Sequence, residues 1–381
     1  MNILLLAPQP FYQERGTPIA VKLLAQTLGE LGHDVHLLVF AEGESIEIAN
    51  VTIHRHIHLP GMTGIKPGIS IKKLVCDAVF FIKCFQLVRR YNFHIIHAVE
   101  ESVFMAIFFK KIFKIPYVYD MDSCMSAQLI DKFPSLRLGG SLMAGLEKSA
   151  IVNSDGVVAV CSTLEDMALK YAPGKLTTRL EDISLLDDGC QGEEDLRLEL
   201  GIQGTLIMYV GNLEKYQGID LLLESFKQAV DVKQEMHLVL IGGNERDISV
   251  YRQKVRQLNI DTNVTFCGPR PVNMLGFYLK QADILVSPRI HGSNTPMKIY
   301  SYLDSGVSVL ATNLPTHTQV LDERIAFLVE PQPARMAAAI GLLAEDKVKR
   351  DNLGLEAQKR VHQEYSLPAF KRKLSLFYEK L

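Results

Sequence analysis

The sequence lacks tryptophan, any C-x-x-C pair of cysteines and any apolar run of transmembrane length. Its six cysteines are scattered and mostly lie in apolar contexts, which predicts reduced, buried thiols in a cytoplasmic protein rather than disulfides or a zinc site. The N-terminus, MNILLLAPQP, lacks the basic segment of a signal peptide and predicts a first β-strand. We therefore expect neither a cleaved signal nor a transmembrane helix.

Neither sign of charge dominates the sequence. The formal net charge is -2 at pH 7, and no block of like charges forms a tail, so we expect no nucleic-acid partner. Hydrophobic residues make up 48% and charged residues 22%, which is typical of a globular chain. With 381 residues the chain is too long for one ordinary core. These values predict two domains of an α/β type.

The opening of the chain indicates a Rossmann-like unit. Residues 2–7 form an apolar strand, a loop with Gly16 and Thr17 follows, and a helical pattern then leads to a strand at 35–40. Ligands of such units bind beyond the carboxyl ends of the strands. The loop has no G-x-G-x-x-G, and no acidic residue ends the second strand, so a nicotinamide or flavin cofactor is not expected.

The alternation of strands and helices is interrupted once. Residues 177–194, TTRLEDISLLDDGCQGEE, are acidic and polar and predict the link between the domains. A second set of short strands between helices starts at Leu206 and continues to about Val329. This pattern predicts a second Rossmann-like domain.

The most informative stretch runs from Val286 to Asn313. A buried strand ends at Ser287, and Ser293 and Asn294 lie in a polar loop that leads to Thr295 and Pro296, which the pattern predicts as the cap and first position of a helix. A loop that leads into a helix N-terminus offers unpaired N–H groups to an anion or to hydroxyl groups. A phosphorylated sugar presents both.

The sequence NTPMKIYSYLDSG followed by VSVLATN resembles the donor-binding helix of GT-B glycosyltransferases, in particular the retaining family called glycosyltransferase family 4. The family pattern is P-x-K-x-x-E-Y-x-x-x-G-x-P-V, and Pro296, Lys298, Tyr302 and Gly306 match it in register. Two glutamates of the family are replaced by Ser293 and Ser301. The resemblance implies two Rossmann-like domains facing a cleft, with an acceptor domain at 1–183, a donor domain at 184–362 and a helix at 363–381 that returns to the first domain.

Two further segments carry the same resemblance. The segment ERGTPIAVKLLAQTLGELGHDV is similar to the family's opening loop and first helix, which implies that Gly16 and Thr17 contact the donor phosphates; an ordinary tight loop is the alternative for Gly16. The segment GNLEKYQGIDLLLESF, which starts at Gly211, resembles the family's G-R-L-x-x-x-K-G-x-D-x-L. Asn212 and Gln217 replace its two cations, and Lys215 and Arg289 are the candidates to take over their contacts with the diphosphate. The donor-binding residues that the resemblance implies in the second domain are Gly211, Asn212, Lys215, Gln217, Arg289, Ser293, Asn294, Thr295, Pro296 and Ser301.

The segment YDMDS contains a D-x-D, Asp120 and Asp122, which in another glycosyltransferase fold would ligate a metal. In family 4 this place commonly carries a histidine that touches the sugar, and the resemblance puts Asp122 or its neighbours there. A cap on the following helix is the alternative for Asp122. His97 is a second candidate near the same strand edge, although such a histidine is more often a satisfied core group. The resemblance implies Asp122 and Lys298 as the catalytic residues and no metal cofactor.

Two helical segments combine phenylalanine with lysine. They are IKKLVCDAVFFIKCFQLVRR at 71–90 and FMAIFFKKIFK at 104–114. One interpretation is a pair of helices that cover a parallel sheet, and the other is a basic, aromatic surface on an anionic membrane. The cations of the second interpretation are Lys72, Lys73, Lys83, Lys110, Lys111 and Lys114.

The resemblance implies transfer of a sugar from a nucleotide diphosphate sugar to a hydroxyl of a glycan or glycolipid, with retention of configuration and without a metal. The expected location is the cytoplasm, including the inner face of an anionic membrane. One alternative is a sugar-nucleotide epimerase, against which the missing glutamates count. The other is a non-catalytic partner subunit, which the four substitutions at usual contact positions favour.

Overall fold

The computed structural model describes residues 1–13, 16–62, 64–65, 70–126, 137–186, 195–233, 235–292 and 294–381, with the backbone alone for 137–141. The chain divides into two compact units: Met1–Glu181 with Lys371–Leu381, and Asp182–Phe370. The domain boundary that the sequence places between 183 and 184 lies two residues beyond this division. Within the described ranges, no helix has the length and apolar content needed to cross a bilayer.

The first unit is built on a parallel sheet. Its strands are short apolar runs, and β1, β4 and β5 are buried along nearly their whole length, which is typical of a sheet covered by helices on both faces. The order across the sheet is β3-β2-β1-β4-β5-β6-β7. The described strands are β1 (Asn2–Leu6), β2 (Asp34–Val39), β3 (Val51–Arg55), β4 (Ile95–Val99), β5 (Tyr117–Met121), β6 (Gly156–Ala159) and β7 (Thr177–Arg179). Its helices are α1 (Gly16–Glu30), α2 (Ile71–Arg90), α3 (Val103–Phe113), α4 (Arg137–Asn153) and α5 (Ser162–Tyr171).

The second unit repeats this architecture, with the strand order β10-β9-β8-β11-β12-β13 and all described pairs parallel. Both sheets are therefore Rossmann-like, as the sequence predicts. The strands are β8 (Thr205–Val210), β9 (Met236–Ile241), β10 (Val264–Gly268), β11 (Ile284–Ser287), β12 (Ser308–Thr312) and β13 (Phe327–Val329). The helices are α6 (Leu196–Glu199), α7 (Ile219–Val232), α8 (Glu245–Gln257), α9 (Leu275–Leu279), α10 (Lys298–Asp304), α11 (Pro315–Thr318), α12 (Pro333–Glu345), α13 (Lys347–Glu364) and α14 (Leu367–Tyr378), of which the part from Lys371 belongs to the first unit.

Each sheet has one place where neighbouring strands are followed by connections that leave in opposite directions. In the first sheet this switch point lies between β1 and β4, and in the second between β8 and β11. Ligands of open α/β sheets bind beyond the carboxyl ends of the strands at such points. The loops that matter most are therefore those that follow these four strands.

Two details differ from the sequence-based expectation. Thr177–Arg179, expected in the interdomain link, forms β7, a strand of three residues that pairs with β6 at the edge of the described sheet. Its partly exposed polar residues carry no apolar alternation, so nothing in the sequence marks it as a strand. Helix α10 starts at Lys298, two residues after the expected first position Pro296, whose carbonyl accepts a hydrogen bond from Ile299 at 2.9 Å.

Candidate functional site

The loop after β8 approaches the start of α10 very closely. Gly211 has φ of +148°, and a Cβ atom there would lie 3.2 Å from Nζ of Lys298 and 3.1 Å from the hydroxyl of Tyr209. The hydroxyl of Tyr302 accepts a hydrogen bond from the backbone N–H of Val210 at 2.7 Å and so ties α10 to the end of β8. Glycine is needed at 211 because residues with a side chain rarely adopt this φ, and a Cβ atom would also crowd the lysine head.

The loops after β8 and β11 are fixed to each other. The N–H of Ile290 donates to the carbonyl of Tyr216 at 3.0 Å. Gly218 has φ of +75°, and a Cβ atom there would lie 1.9 Å from the carbonyl oxygen of Pro288. Only glycine allows this contact, and Gly218 directly precedes α7. The two loops at the switch point of the second sheet thus form one surface.

The ammonium group of Lys298 lies on this surface, 3.9 Å from the ring centroid of Tyr209, and donates a hydrogen bond to Oε1 of Gln217 at 3.2 Å. Burial, reinforced by the positive charge of Arg289, holds the pKa of Lys298 well below its usual range. Gly211, Gln217 and Lys298, three of the residues predicted to contact a donor, are thus brought together.

Arg289 supplies the second cation of the surface. It is buried, its guanidinium lies 5.1 Å from the ring centroid of Tyr216, and it donates to the carbonyls of His291 at 2.8 Å and Asn294 at 3.1 Å. Burial lowers the pKa of Arg289. The guanidinium therefore holds its own loop in shape, which the sequence-based prediction of a direct diphosphate contact did not anticipate.

No carboxylate oxygen of the described residues lies within 4 Å of the cationic nitrogens of Lys298 or Arg289. Two buried or partly buried cations without an acidic partner cost free energy, because each loses hydration that no opposite charge replaces. The arrangement is one that an anion would stabilise. A diphosphate is such an anion and would accept hydrogen bonds from Lys298.

A histidine that the sequence analysis did not single out lies behind this surface. His317 in α11 has 0% exposure, and its Nδ1 lies 2.9 Å from the carbonyl oxygen of Thr312, which can only accept. Nδ1 therefore carries the proton, and Nε2 accepts from the hydroxyl of Ser287 at 2.8 Å. Burial lowers the pKa of His317 to about 4. This neutral ring fixes the ends of β11 and β12 relative to each other.

The other predicted donor residues of the second unit have varied surroundings. Asn212 and Lys215 are exposed on the loop after β8. Thr295 is buried, and its hydroxyl has no hydrogen-bond partner among the described residues, so it does not cap α10. Ser301 has 0% exposure and its hydroxyl accepts from the N–H of Leu185 at 3.0 Å, so it is used inside the fold rather than at an open surface. Asn294 offers its carbonyl to Thr316 at 2.7 Å, Pro296 precedes α10, and Ser293 lies outside the described residues.

In the first unit the structure adds a carboxyl group that the sequence analysis missed. Glu100 follows β4 directly, with φ of +48° in the left-handed region that residues other than glycine rarely adopt. The hydroxyl of Ser123 donates to its carboxylate at 2.9 Å. Burial and the neighbouring Glu101 carboxylate raise the pKa of Glu100 to about 7. A strained backbone and a raised pKa at a switch point are typical of a functional residue.

Glu101 has a different environment from Glu100. Its carboxylate forms an ion pair with Lys73 of α2, which also lies 3.3 Å from Asp77 and donates to the carbonyl of Pro8 at 3.4 Å. The lysine joins the loop after β1 to the loop after β4. Gly16, which is exposed, and Thr17 begin α1 at the same edge of the first sheet.

His97 is a satisfied core group. It has 0% exposure, its Nε2 lies 3.1 Å from Oδ2 of Asp120, and its Nδ1 lies 2.7 Å from the hydroxyl of Tyr378 in α14. The first carboxylate of the D-x-D is thus held by a buried ring. Asp122 lies two residues further on in the loop after β5, and Glu147 of α4 secures that loop by accepting from the N–H of Met125 at 2.9 Å. Across the described residues there is no group of three histidine, cysteine or acidic side chains that could hold a metal ion.

Comparison with known proteins covers both units. Residues 15–178 match the model of the family described as Glycosyltransferase Family 4, and residues 204–346 match that of Glycosyl transferases group 1. The two matches cover separate halves of the chain and together most of its length. The chain therefore belongs to the glycosyltransferases of these families.

The relatives are distant. Spore coat protein SA of Bacillus subtilis is 20% identical over 206 residues, which are 51% of this chain and 54% of that protein, so the chain spans about half the length of this curated relative. The structure of sucrose-phosphate synthase from Thermosynechococcus elongatus has a TM-score of 0.80 at 20% identity, over 100% of this chain and 98% of that one. Anabaena Alr3699/HepE, solved in complex with UDP, has a TM-score of 0.77 at 16% identity over 100% of both chains. These structures establish the GT-B fold.

Proposed function

We propose that the protein transfers a sugar from a nucleotide diphosphate sugar to an acceptor hydroxyl. The observation that carries this proposal is the pair of cations, Lys298 and Arg289, which lie together at the switch point of the second sheet with no carboxylate of the described ranges beside them. The family supports it, and a structural neighbour that was solved in complex with UDP supports a nucleoside diphosphate as part of the donor. The second domain is thus the donor domain and the first the acceptor domain.

The donor surface acts on the leaving group. When the bond between the sugar carbon and the phosphate oxygen breaks, negative charge grows on that oxygen, and a nearby cation lowers the barrier. Lys298 supplies this cation. Arg289 acts from within its loop, where its charge adds to the positive potential while its N–H groups hold the loop in place. Asn212, Lys215 and Gln217 lie on the companion loop and contact the rest of the donor.

Glu100 is proposed to accept the proton of the acceptor. As the acceptor oxygen forms its bond to the sugar carbon, its O–H bond breaks and the proton passes to the carboxylate. A carboxyl group with a pKa of about 7 is well matched to this task at neutral pH. Asp122 lies two residues after Asp120, and we propose that its carboxylate accepts a hydrogen bond from a sugar hydroxyl. The proposal includes retention of configuration, which requires the acceptor oxygen to attack the sugar carbon on the face that the diphosphate leaves.

The proposed reaction needs no metal, because cationic side chains take the place of a metal bridge between the phosphates. We expect release of nucleoside diphosphate from a turned-over donor to continue at the same rate in EDTA. The measurement is a coupled assay for released nucleoside diphosphate, with and without the chelator. Loss of turnover in EDTA and its return with manganese would contradict the metal-free proposal while leaving sugar transfer intact.

A non-catalytic partner subunit is the second candidate. The observations that favour it are the internal use of the Ser301 hydroxyl and of the Arg289 guanidinium, two groups predicted to contact the donor. The raised pKa and left-handed backbone of Glu100 favour the enzyme, since a protein without chemistry gains nothing from that strain.

The proposal further includes a glycan or lipid-linked acceptor in polysaccharide or glycolipid synthesis and a location in the cytoplasm or at the inner face of the membrane.

A further inference from the structure

Helix α2 has an apolar stripe that faces away from its sheet. Ile71, Val75, Ala78 and Ile82 follow one another at intervals of four, three and four residues and so share one face of the helix. All four are exposed, Ile71 at 81% and Ile82 at 56%. The opposite face, with Cys76, Phe80, Cys84 and Leu87, is buried in the core. A helix that only covers a sheet would carry polar residues on its outward face.

Helix α3 extends the apolar surface. Phe108 and Ile112 lie on its outward side with 39% and 59% exposure. Ring contacts join the two helices, with centroids 5.3 Å apart for Phe81 and Phe108 and 5.8 Å apart for Phe85 and Phe113. The exposed side chains of α2 and α3 therefore form one surface, which we call the α2–α3 face. It comprises Ile71, Val75, Ala78, Ile82, Phe108 and Ile112.

Cations outnumber acidic groups on the two helices of the α2–α3 face. Helix α2 contains a single acid, Asp77, which pairs with Lys73, and α3 contains none. Two of the lysines that the sequence suggested for membrane contact are committed elsewhere: Lys73 to Glu101 and Asp77, and Lys110 to Asp155 at 2.7 Å. Other cations on the two helices and their ends are Lys83, Arg89, Arg90, Lys111 and Lys114.

We infer that the α2–α3 face binds the surface of an anionic lipid bilayer. Exposed aliphatic and phenylalanine side chains flanked by lysine and arginine, with no free acid between them, match an interface that is apolar below and negatively charged above. A second copy of the chain would present the same five cations to this face, and like charges would oppose that pairing. The inference concerns the first domain alone and does not depend on donor chemistry.

Co-sedimentation of the full chain with vesicles tests this inference. We expect binding to vesicles of phosphatidylcholine with one third phosphatidylglycerol, weak binding to pure phosphatidylcholine, and release by high salt. The double variant Lys111→Gln/Lys114→Gln should bind roughly thirtyfold more weakly, at about 1 kcal/mol for each lysine. Ile82→Asp and Ile112→Asp should each weaken binding by about tenfold or more, because an aliphatic side chain no longer enters the interface.

Matched variants of the second unit serve as controls. Val232→Asp changes an apolar residue that is 89% exposed, and Lys347→Gln removes a lysine whose side chain is 74% exposed. Both should bind vesicles like the parent chain. The inference is overturned if the parent stays in the supernatant at low salt, or if the face variants and the control variants bind equally. It is also overturned if Ile82→Asp turns a stable dimer into a monomer without any effect on vesicle binding, since the face would then join two copies.

Discussion

Replacing Lys298 by Met should lower kcat/KM for the donor by one to two powers of ten. Methionine is close to lysine in shape but brings no charge to the leaving diphosphate. A charge-assisted hydrogen bond is worth about 1.5–3 kcal/mol, which corresponds to that loss of rate. Stability should not suffer, because the partners of the ammonium within the described part of the chain are the amide of Gln217 and the ring of Tyr209, and Arg289 repels it. The measurements are steady-state kinetics and thermal melting.

A second readout separates a donor contact from a structural role of Lys298. Because burial lowers the pKa of the free lysine, a bound anion should raise that pKa again, and binding should take up a proton at pH values between the two. Calorimetry in buffers of different ionisation enthalpy would detect this uptake, which the Met variant should lack. Lys347→Met, at an exposed site, should behave like the parent. The assignment is contradicted if Lys298→Met turns over donor like the parent and Lys215→Met is defective instead. The diphosphate would then contact the exposed part of the loop at Lys215.

Replacing Glu100 by Gln should lower kcat by about two to four powers of ten, the usual contribution of a positioned proton acceptor. Glutamine can still accept the hydrogen bond from Ser123, so the loop should keep its shape while losing its base. The parent needs the ionised carboxylate, so its rate should rise with pH through about 7 and then level off. The variant should lose this rise. Rate profiles from pH 5 to 9 provide the test.

Although its rate should fall, the Glu100→Gln variant should be as stable as the parent or more stable. Since the pKa of Glu100 is raised above the unfolded value of 4.5, the folded state holds a proton that the unfolded state releases, and stability falls as the pH rises from 4.5 to 7. Glutamine removes this penalty, so the variant should melt at the same temperature as the parent or higher at pH 8. A variant that unfolds easily, or one that keeps the parent rate and pH profile, would exclude Glu100 as the base.

Much of the fold could be predicted from the sequence, because the strands are short apolar runs bounded by glycine and proline. Residues 71–90 were predicted as one helix, and α2 spans Ile71–Arg90, from a cap where Ser70 accepts from Lys73 at 3.2 Å to Arg89 and Arg90. β7 could not be predicted, since an edge strand of three polar residues has no periodicity. The start of α10 was placed too early because proline at 296 suits a first helical position as well as a preceding turn.

The candidate site was predictable where residues lie in register with a motif. Gly211, Gln217 and Lys298 meet because the neighbouring parallel strands β8 and β11 end at one edge of the sheet, where the loops that follow them begin. Arg289 is buried because its loop folds so that the carbonyl of His291 accepts from the guanidinium, and Ser301 accepts from the distant N–H of Leu185. The spacing of residues in the sequence encodes neither contact. Glu100 was missed because an acid after an apolar strand is common, and only its left-handed backbone and burial distinguish it.

The most direct test of sugar transfer is incubation of the full chain with a panel of nucleotide sugars and glycan or lipid-linked hydroxyl acceptors, with products followed by mass spectrometry. The account predicts that one donor releases nucleoside diphosphate in an acceptor-dependent way, together with an acceptor heavier by one sugar. A donor converted to an isomer of equal mass without acceptor would instead identify an epimerase. If every donor and acceptor stays intact although nucleoside diphosphates bind, the protein is a non-catalytic partner and the account is contradicted.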